Sequence, residues 1–198
     1  MTKDWIGNSV SVFSQLGANR GNVLREINDF YATDPSAIDD LLRYEQFNSI
    51  IWECACGQGH LAKRLSEFGY VVRTSDIVDR GYPNTELLDF LKSNETFNGD
   101  IITNPPYRYI TEFVLKALDS VPNGCKVAMF LKIQTLEGQK RYEDLYKNYP
   151  PKTIYVFTKR KPCYKNGEVD KTYSSPVCYA WYVWIKGHYN NTQLKWIT

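Results

Sequence analysis

Hydrophobic residues along this chain follow two spacings, one typical of buried strands and the other typical of amphipathic helices. Short, nearly continuous apolar runs predict buried strands, and apolar residues three and four apart predict helices. The strand pattern occurs in six segments, at residues 49–55, 70–76, 100–104, 125–131, 153–157 and 177–185. Helices are predicted in five segments, at residues 34–42, 61–68, 86–93, 110–118 and 136–149.

Two of these helices have clear sequence signals. Asp34 and Pro35 are typical of a helix start, with an acidic N-cap followed by proline at the first helical position. The segment 110–118 repeats apolar residues at intervals that place them on one face. These residues are Ile110, Phe113, Val114, Ala117 and Leu118.

The order of the elements predicts an α/β fold with a mostly parallel sheet. Helices between successive strands imply parallel pairing, with helices on both faces of the sheet. The last two strands are joined by residues 159–176, a polar segment without helical spacing, so we expect a C-terminal antiparallel hairpin. Residues 1–30 have weak periodicity and are predicted to be an arm or a loop, while residues 31–198 form a single domain.

Length and composition fit one domain in a reducing compartment. A chain of 198 residues with 43% hydrophobic content can bury one sizeable core. Its five cysteines are odd in number and no signal-like segment starts the chain, so we expect free thiols and the cytoplasm. The longest apolar run, residues 177–185, is about half of what a bilayer-spanning helix needs. We expect no membrane segment.

Charge is distributed unevenly although the net charge is only +2. Residues 131–165 contain nine lysines and arginines against three acids, whereas residues 1–130 are net acidic. Such asymmetry suggests one surface that faces a polyanion. The alternative is an ordinary solvated basic face, because lysines are common on protein surfaces.

The segment Asn104-Pro105-Pro106-Tyr107 ends the predicted strand at 100–104 abruptly. Proline cannot donate to a strand ladder and disfavours helix in the preceding residue, so two prolines make a stiff corner. The carboxyl ends of strands are where open α/β sheets place ligands. The corner is therefore either a strand-capping turn or a rigid binding loop that presents an amide, carbonyl groups and an aromatic ring.

A glycine-containing turn follows the first predicted strand of the sheet. Glu53 ends that strand, and Gly57 and Gly59 let the backbone approach a ligand before the next helix begins. Asp76 ends the next strand, where an acid can accept hydrogen bonds from ribose hydroxyls. A full dinucleotide fingerprint and a P-loop lysine are both missing, so a nucleoside without a pyrophosphate fits best.

Cys54, Cys56 and His60 lie close together in the sequence and invite a metal hypothesis. The two cysteines occupy the strand-to-turn segment, and no second ligand pair follows at zinc spacing. Small buried thiols are the better interpretation. We expect no metal.

Together these motifs resemble the S-adenosylmethionine-dependent methyltransferases that act on the amine of adenine in DNA, and most of all their small phage- or prophage-type members. The resemblance spans about residues 30–185, and its most specific element is Asn-Pro-Pro-Tyr at 104–107. The other motifs are YATDPSAIDDLL, ECACGQGHLAKRL, SDI and LDFL. It implies a Rossmann-like class I methyltransferase fold. Two departures are the cysteines at 54 and 56 and the lack of a separate target-recognition domain.

The resemblance implies S-adenosylmethionine as cofactor and assigns a role to each matching position. The glycine turn would bind its methionine portion, Asp76 its ribose and the pair Asp89-Phe90 its adenine, while an early motif would contact its carboxylate end. The implied cofactor residues are Tyr31, Thr33, Pro35, Glu53, Ala55, Gly57, Gly59, Asp76, Asp89 and Phe90. The implied catalytic residues are Asn104, Pro105, Pro106 and Tyr107.

The corner at 104–107 suits chemistry on an aromatic amine. Such an amine is a poor nucleophile because its lone pair is delocalised into the ring. Oxygens of Asn104 and Pro105 that accept its two hydrogens would hold it, and Tyr107 would stack on the ring. An adenine inside a duplex must first be flipped out, which costs a few kcal/mol.

The polar segment 159–176 is the candidate second wall for a flipped base. Tyr164 would stack on the base, and basic residues beside it would contact phosphates. These are Lys159, Arg160, Lys161 and Lys165. The alternative is a surface hairpin without a binding role.

Three other functions stay open at this point. Enzymes that methylate protein glutamine or amines of RNA bases face the same chemical problem, and a related fold could also bind cofactor or nucleic acid without turnover. DNA is the expected partner and RNA the alternative. The oligomeric state and the target sequence are left open.

Overall fold

The computed structural model describes residues 31–165 and 177–198. Within these ranges ten strands occur, eight of which form one sheet. The strands are β1 (Tyr31–Thr33), β2 (Ile50–Glu53), β3 (Val71–Asp76), β4 (Glu86–Leu87), β5 (Asp100–Thr103), β6 (Lys126–Lys132), β7 (Thr153–Phe157), β8 (Cys163–Lys165), β9 (Tyr179–Ile185) and β10 (Gln193–Ile197). The arm or loop predicted for residues 1–30 lies outside the described residues.

The large sheet has the order β10-β7-β9-β6-β5-β2-β3-β4. All neighbouring strands in it are parallel except β9, which is antiparallel to both β6 and β7. The predicted α/β class and the C-terminal antiparallel hairpin, formed by β7 and β9, are therefore confirmed. The two remaining strands, β1 and β8, pair antiparallel in a separate two-stranded ribbon.

Helices cover both faces of the sheet, and most follow the predicted positions. The α-helices are α1 (Ser36–Leu42), α2 (His60–Glu67), α3 (Ile110–Ser120) and the single turn α4 (Gln139–Arg141). Two 3-10 turns (Tyr107–Tyr109 and Ile133–Leu136) and one π turn (Tyr142–Tyr146) complete the helical structure in these ranges.

The central strands β2, β5, β6 and β9 are buried on both sides, which explains their nearly unbroken apolar runs. Successive residues of a strand point to opposite faces, so Trp52 and Ile101 pack under α3, whereas Ile51 and Ile102 pack under α1 and α2. All four side chains are fully buried. This packing fixes the strand ends, and with them the loops that form the site.

Three predictions about local structure were wrong in part or in full. Residues 86–93 are not a helix: Glu86–Leu87 pair with the end of β3 as β4, and the chain then turns so that Phe90 packs edge-on against Trp52. The helix predicted at 136–149 is reduced to α4 and the π turn, since Gly138 adopts a positive φ of 123° immediately before α4. The segment 159–176 is not wholly a loop, because residues 163–165 form β8.

Four strands, β1, β4, β8 and β10, were not predicted from the sequence, and β10 shows the reason most clearly. β10 has only Ile197 buried among its five residues, and it lies at the sheet edge with Leu194 and Trp196 exposed. Its sequence therefore lacks the apolar run that marks the central strands. No helix in the described ranges is long and apolar enough to cross a bilayer.

Candidate active site

A cavity of about 650 Å³ opens at the carboxyl ends of β2, β3 and β5. The strand ends, the turn before α2 and the loop before α3 all contribute to its walls. Ten predicted site residues line it: Thr33, Glu53, Ala55, Asp76, Asp89, Phe90, Asn104, Pro105, Pro106 and Tyr107. The tertiary structure thus brings ten of the predicted residues to one continuous space, whereas Gly57, Gly59 and Pro35 are not among the described residues that line it.

The glycine turn between β2 and α2 is tied to the end of β3. The Gly57 amide donates to Asp76 Oδ2 at 2.7 Å, and the Cys56 amide donates to the Ser75 carbonyl at 3.0 Å. Gly57 and Gly59 have φ values of 58° and 78°, a region that L side chains rarely adopt. A Cβ on Gly59 would overlap the ring of Tyr82, so both the backbone conformation and the space require glycine there.

Two acids lie at the base of this half of the cavity. Asp76 accepts hydrogen bonds from the amides of Gly57 and Val78, at 2.7 and 3.0 Å. Glu53 is 2% exposed, and its Oε2 has no hydrogen-bond partner among the described residues. Burial raises the pKa of the Glu53 carboxyl well above its ordinary value, and the nearby Asp76 adds to the rise. A buried carboxyl oxygen without a protein partner is suited to a hydrogen-bond donor or a cation of a ligand.

Sequence reasoning missed several cavity residues. Cys54 and Cys56 line the cavity, and burial raises the pKa of both thiols so that they stay protonated at neutral pH. Ile77 follows Asp76 and is 59% exposed at the cavity wall. Its signal was its place directly after Asp76, at the carboxyl end of a predicted strand. Across the described residues, no group of three or more His, Cys, Asp or Glu side chains could hold a metal ion.

The other half of the cavity is the corner formed by Asn104–Tyr107. Asn104 Nδ2 donates to Thr33 Oγ1 at 2.9 Å and lies 3.9 Å from Cys163 Sγ. The Tyr107 hydroxyl lies 3.9 Å from the same sulfur, and burial raises the pKa of this hydroxyl well above its ordinary value. The corner is therefore held by β1 and β8, two segments that are distant in the sequence.

The Tyr107 ring is contacted by other side chains. Tyr179 stacks near it with ring centroids 6.1 Å apart, and Lys132 Nζ lies 4.7 Å from its centroid. Phe130 continues the aromatic stack behind Tyr179. These contacts hold Tyr107 firmly at the cavity wall and limit the area of its ring that a ligand can cover.

The remaining predicted cofactor residues border the two-stranded ribbon. Tyr31 starts β1 opposite Lys165, and Pro35 directly precedes α1. Asp34 Oδ1 accepts a hydrogen bond from the Ser36 amide at 2.9 Å, which caps the helix as its sequence predicts. Pro35 thereby helps to set the direction in which the chain leaves β1.

The predicted nucleic-acid residues lie just before β8 and within it. Lys159 and Arg160 are exposed, and Tyr164 and Lys165 belong to β8. The Lys161 ammonium pairs with Asp40 Oδ2 at 2.6 Å and donates to Ser36 Oγ at 2.9 Å. Its side chain is only 15% exposed. The charge of Lys161 is therefore neutralised inside the protein, where it joins the ribbon to α1.

Several solved structures with the same architecture are described as methyltransferases. A protein from Listeria monocytogenes described as a class I S-adenosylmethionine-dependent methyltransferase aligns with a TM-score of 0.59 at 12% identity, over 94% of this chain and 71% of its own. A protein from Pyrococcus horikoshii described as an RNA methyltransferase aligns with a TM-score of 0.55 at 14% identity, over 90% and 99% of the two chains.

A third similar structure is described as a modification subunit of a type I restriction enzyme, from Vibrio vulnificus. It aligns with a TM-score of 0.55 at 14% identity, over 92% of this chain and 49% of its own. No protein-family model matches the sequence, and no curated protein matches it. At these identities the likenesses establish the fold, which is that of the class I methyltransferases.

Proposed function

We propose that this protein transfers a methyl group from S-adenosylmethionine to the exocyclic amine of adenine in DNA. The observation that carries the proposal is the single cavity that joins the glycine turn and the acids of β2 and β3 to the corner at Asn104. Group transfer needs a donor and an acceptor held side by side. One wall of this continuous space carries acids that suit a nucleoside, and the other carries the Asn104 amide. The cavity therefore meets that need.

The cofactor half has features that fit S-adenosylmethionine. Its volume falls within the range of small-molecule sites. Glu53 Oε2, buried without a partner among the described residues, is suited to the ammonium of the methionine portion. The Asp76 carboxylate already accepts two backbone amides, but each oxygen keeps a second lone pair for ribose hydroxyls.

The adenine of the cofactor would contact apolar side chains at the same end of the cavity. Ile77 offers an exposed aliphatic surface, and Phe90 is held against Trp52 and Phe113 while lining the cavity. Asp89 stands beside Phe90 at this wall. When bound, S-adenosylmethionine supplies an electrophilic methyl group on a sulfonium sulfur.

The corner at 104–107 would hold the acceptor amine. The Asn104 amide oxygen and the Pro105 carbonyl would accept its two hydrogens, which turns the nitrogen lone pair toward the cofactor half of the cavity. The alkylated nitrogen then loses one proton to solvent, so no general base is required. Positioning of this kind can supply several kcal/mol of rate acceleration, on the order of 7–11 at best.

We propose a nucleic acid as the acceptor because of the basic residues in and before β8, and because of two structural neighbours. Lys159, Arg160 and Lys165 would contact phosphates. Lys161 pairs with Asp40, and we no longer place it at a phosphate. Tyr164 lies on β8 next to Cys163, which contacts the corner, and it remains our candidate for the second wall of a flipped base. The neighbours described as a restriction-modification subunit and an RNA methyltransferase act as precedents on this fold.

The test is an incubation of the purified protein with methyl-labelled S-adenosylmethionine and separate DNA, RNA and protein acceptors. We expect label in DNA, recovered after hydrolysis as N6-methyladenine. Label found only in RNA or only in protein would replace the DNA assignment with the corresponding alternative. Absence of label from all three acceptors would contradict the enzymatic proposal and favour a binding module.

A variant of Tyr164 tests whether this residue forms the second wall of the proposed acceptor site. Tyr164→Ala should raise the KM for the nucleic acid while the Kd for S-adenosylmethionine, measured by calorimetry, stays close to that of the wild type. Tyr164→Phe is the matched control, because it keeps the ring and should retain the wild-type KM. Unchanged kinetics of Tyr164→Ala would remove Tyr164 from the acceptor site.

A further inference from the structure

The ribbon formed by β1 and β8 contacts the corner through two buried side chains. Thr33 and Cys163 are register partners in this ribbon, and they are 3% and 5% exposed. Both meet Asn104: the amide nitrogen donates to Thr33 Oγ1 at 2.9 Å and lies 3.9 Å from Cys163 Sγ. The ribbon thus places a hydroxyl and a thiol on the amino side of the Asn104 carboxamide.

The Cys163 thiol lies among several hydroxyl groups. The sulfur is approached by the hydroxyl groups of Thr33, Tyr107 and Tyr179. Burial raises the pKa of the thiol to about 11, so it stays uncharged at neutral pH. If the Thr33 hydroxyl directs its hydrogen to this sulfur, its oxygen is left to accept from Asn104. Cys163 therefore favours the acceptor role of Thr33.

The ribbon is also anchored to the body of the protein. Lys161, two residues before Cys163, forms its ion pair with Asp40 of α1 at 2.6 Å. The Asp34 amide donates to the Pro162 carbonyl at 3.3 Å, which ties the end of β1 to the start of β8. A ribbon that is anchored to the body of the protein can hold a neighbouring side chain in one orientation. A ribbon without such an anchor would move together with that side chain.

We propose that Thr33 and Cys163 are positioning residues that fix the rotation of the Asn104 carboxamide, an inference that rests on the proposed function. The terminal torsion of an asparagine is broad, with two orientations that exchange oxygen and nitrogen. Because the amide is planar, a nitrogen held by Thr33 leaves the oxygen on the opposite branch. A flipped amide would present hydrogens to an amine that also presents hydrogens, and such a complex would be unproductive.

This role differs from the one implied by the family resemblance, in which Thr33 contacts the cofactor's carboxylate end. The two roles predict different losses. A cofactor contact affects the Kd for S-adenosylmethionine, while a positioning contact affects kcat with the cofactor bound. The experiment therefore separates binding from turnover.

Thr33→Val removes the hydroxyl and keeps the shape of the side chain. We expect kcat to fall about 10- to 100-fold, the effect of leaving a buried donor without its partner, while the Kd for S-adenosylmethionine stays within about twofold. Thr33→Ser should restore most of kcat. Cys163→Ala should lower kcat by a smaller factor, and Cys163→Ser should recover it in part, because a hydroxyl can also accept from Thr33.

A loss confined to the cofactor Kd, or a full kcat in Thr33→Val, would overturn the positioning role. A readout independent of turnover is a double-mutant cycle on urea unfolding with Thr33→Val and Asn104→Ala. We expect Thr33→Val to shift the urea midpoint less in the Asn104→Ala background than in the wild type. Additive shifts would overturn the contact itself. If the wild type labels no acceptor, the proposed function fails, and the cycle alone decides whether the ribbon holds Asn104.

Discussion

The two halves of the cavity are built in different ways. The half that we propose for the cofactor, called the cofactor half, comes from neighbouring segments of the chain: β2 with its glycine turn, and β3, whose Asp76 accepts from Gly57 19 residues away. The acceptor half comes from segments that are far apart, since Asn104 meets Thr33 and Cys163 across 71 and 59 residues. Both halves line the same space.

This difference has consequences for what each half tolerates. Backbone amides and a glycine conformation determine the cofactor half, so changes that strain the turn should damage it. Side chains from three segments determine the acceptor half, so single polar atoms and the anchoring of the ribbon should matter most. Variants of each half should therefore fail in distinguishable ways.

The largest expected effect comes from breaking the acceptor half alone. Asn104→Ala should lower kcat for methyl transfer by about 10³-fold, as removal of a preorganised polar group at a reacting centre does, while the Kd for S-adenosylmethionine stays nearly unchanged. Steady-state kinetics and calorimetry measure the two quantities. Asn98→Ala, at an exposed position, is the control and should behave as the wild type. A large loss of cofactor affinity in Asn104→Ala would place this residue in the cofactor half.

Breaking the cofactor half requires a change of backbone. Gly59→Ala places a Cβ on a residue with positive φ and makes that atom overlap with Tyr82. We therefore expect a loss of about 3 kcal/mol in the free energy of unfolding and no detectable cofactor binding. Urea unfolding and calorimetry provide the measurements. Gly69→Ala is the matched control, because Gly69 has a similar φ of 88° but nothing within 4 Å of an added Cβ. Equal losses in the two variants would show that the overlap has no effect.

A smaller effect should follow from loosening the ribbon. Lys161→Ala removes the shorter of the two ion pairs of buried Asp40 and leaves the pair with Arg43 at 3.5 Å, and we expect a loss of about 2 kcal/mol in the free energy of unfolding. Lys159→Ala changes an exposed residue and should leave stability unchanged. Instead, it should lower the salt dependence of nucleic-acid binding by about one phosphate contact. Equal stability of the two variants would contradict the internal role of Lys161.

The smallest effect concerns the protonation of Glu53. Burial raises the pKa of this carboxyl in the folded state above its ordinary value of 4.5, so between 4.5 and the raised pKa the folded protein binds more protons than the unfolded chain. The stability of the wild type should therefore fall as pH rises through that window. Glu53→Gln removes this contribution. Urea unfolding at mildly acidic and mildly alkaline pH should show that the free energy of unfolding of this variant depends less on pH than that of the wild type. Parallel profiles would mean that Glu53 is ionised throughout.

Much of the fold followed from local patterns because burial on both faces leaves a simple signature. The runs around Trp52, Ile101 and Met129 predicted central strands, and the spacing of Phe113 and Val114 predicted α3. The segment 86–93 misled the same reasoning. Its leucines and Phe90 have helical spacing, but backbone pairing of Glu86 and Leu87 with β3 was more favourable than a short isolated helix.

The sequence alone determined the strand ends, the glycine turn and the stiff corner at Asn104, because backbone preferences and proline act over only a few residues. It could not determine that Thr33 and Cys163 would meet Asn104, or that Lys161 would pair with Asp40 rather than stay exposed to solvent. Those contacts depend on where the ribbon packs, and that is decided by burial summed over the whole chain. The cavity wall around the glycine turn was therefore largely readable from the sequence, while the tertiary structure assembled the wall around Asn104.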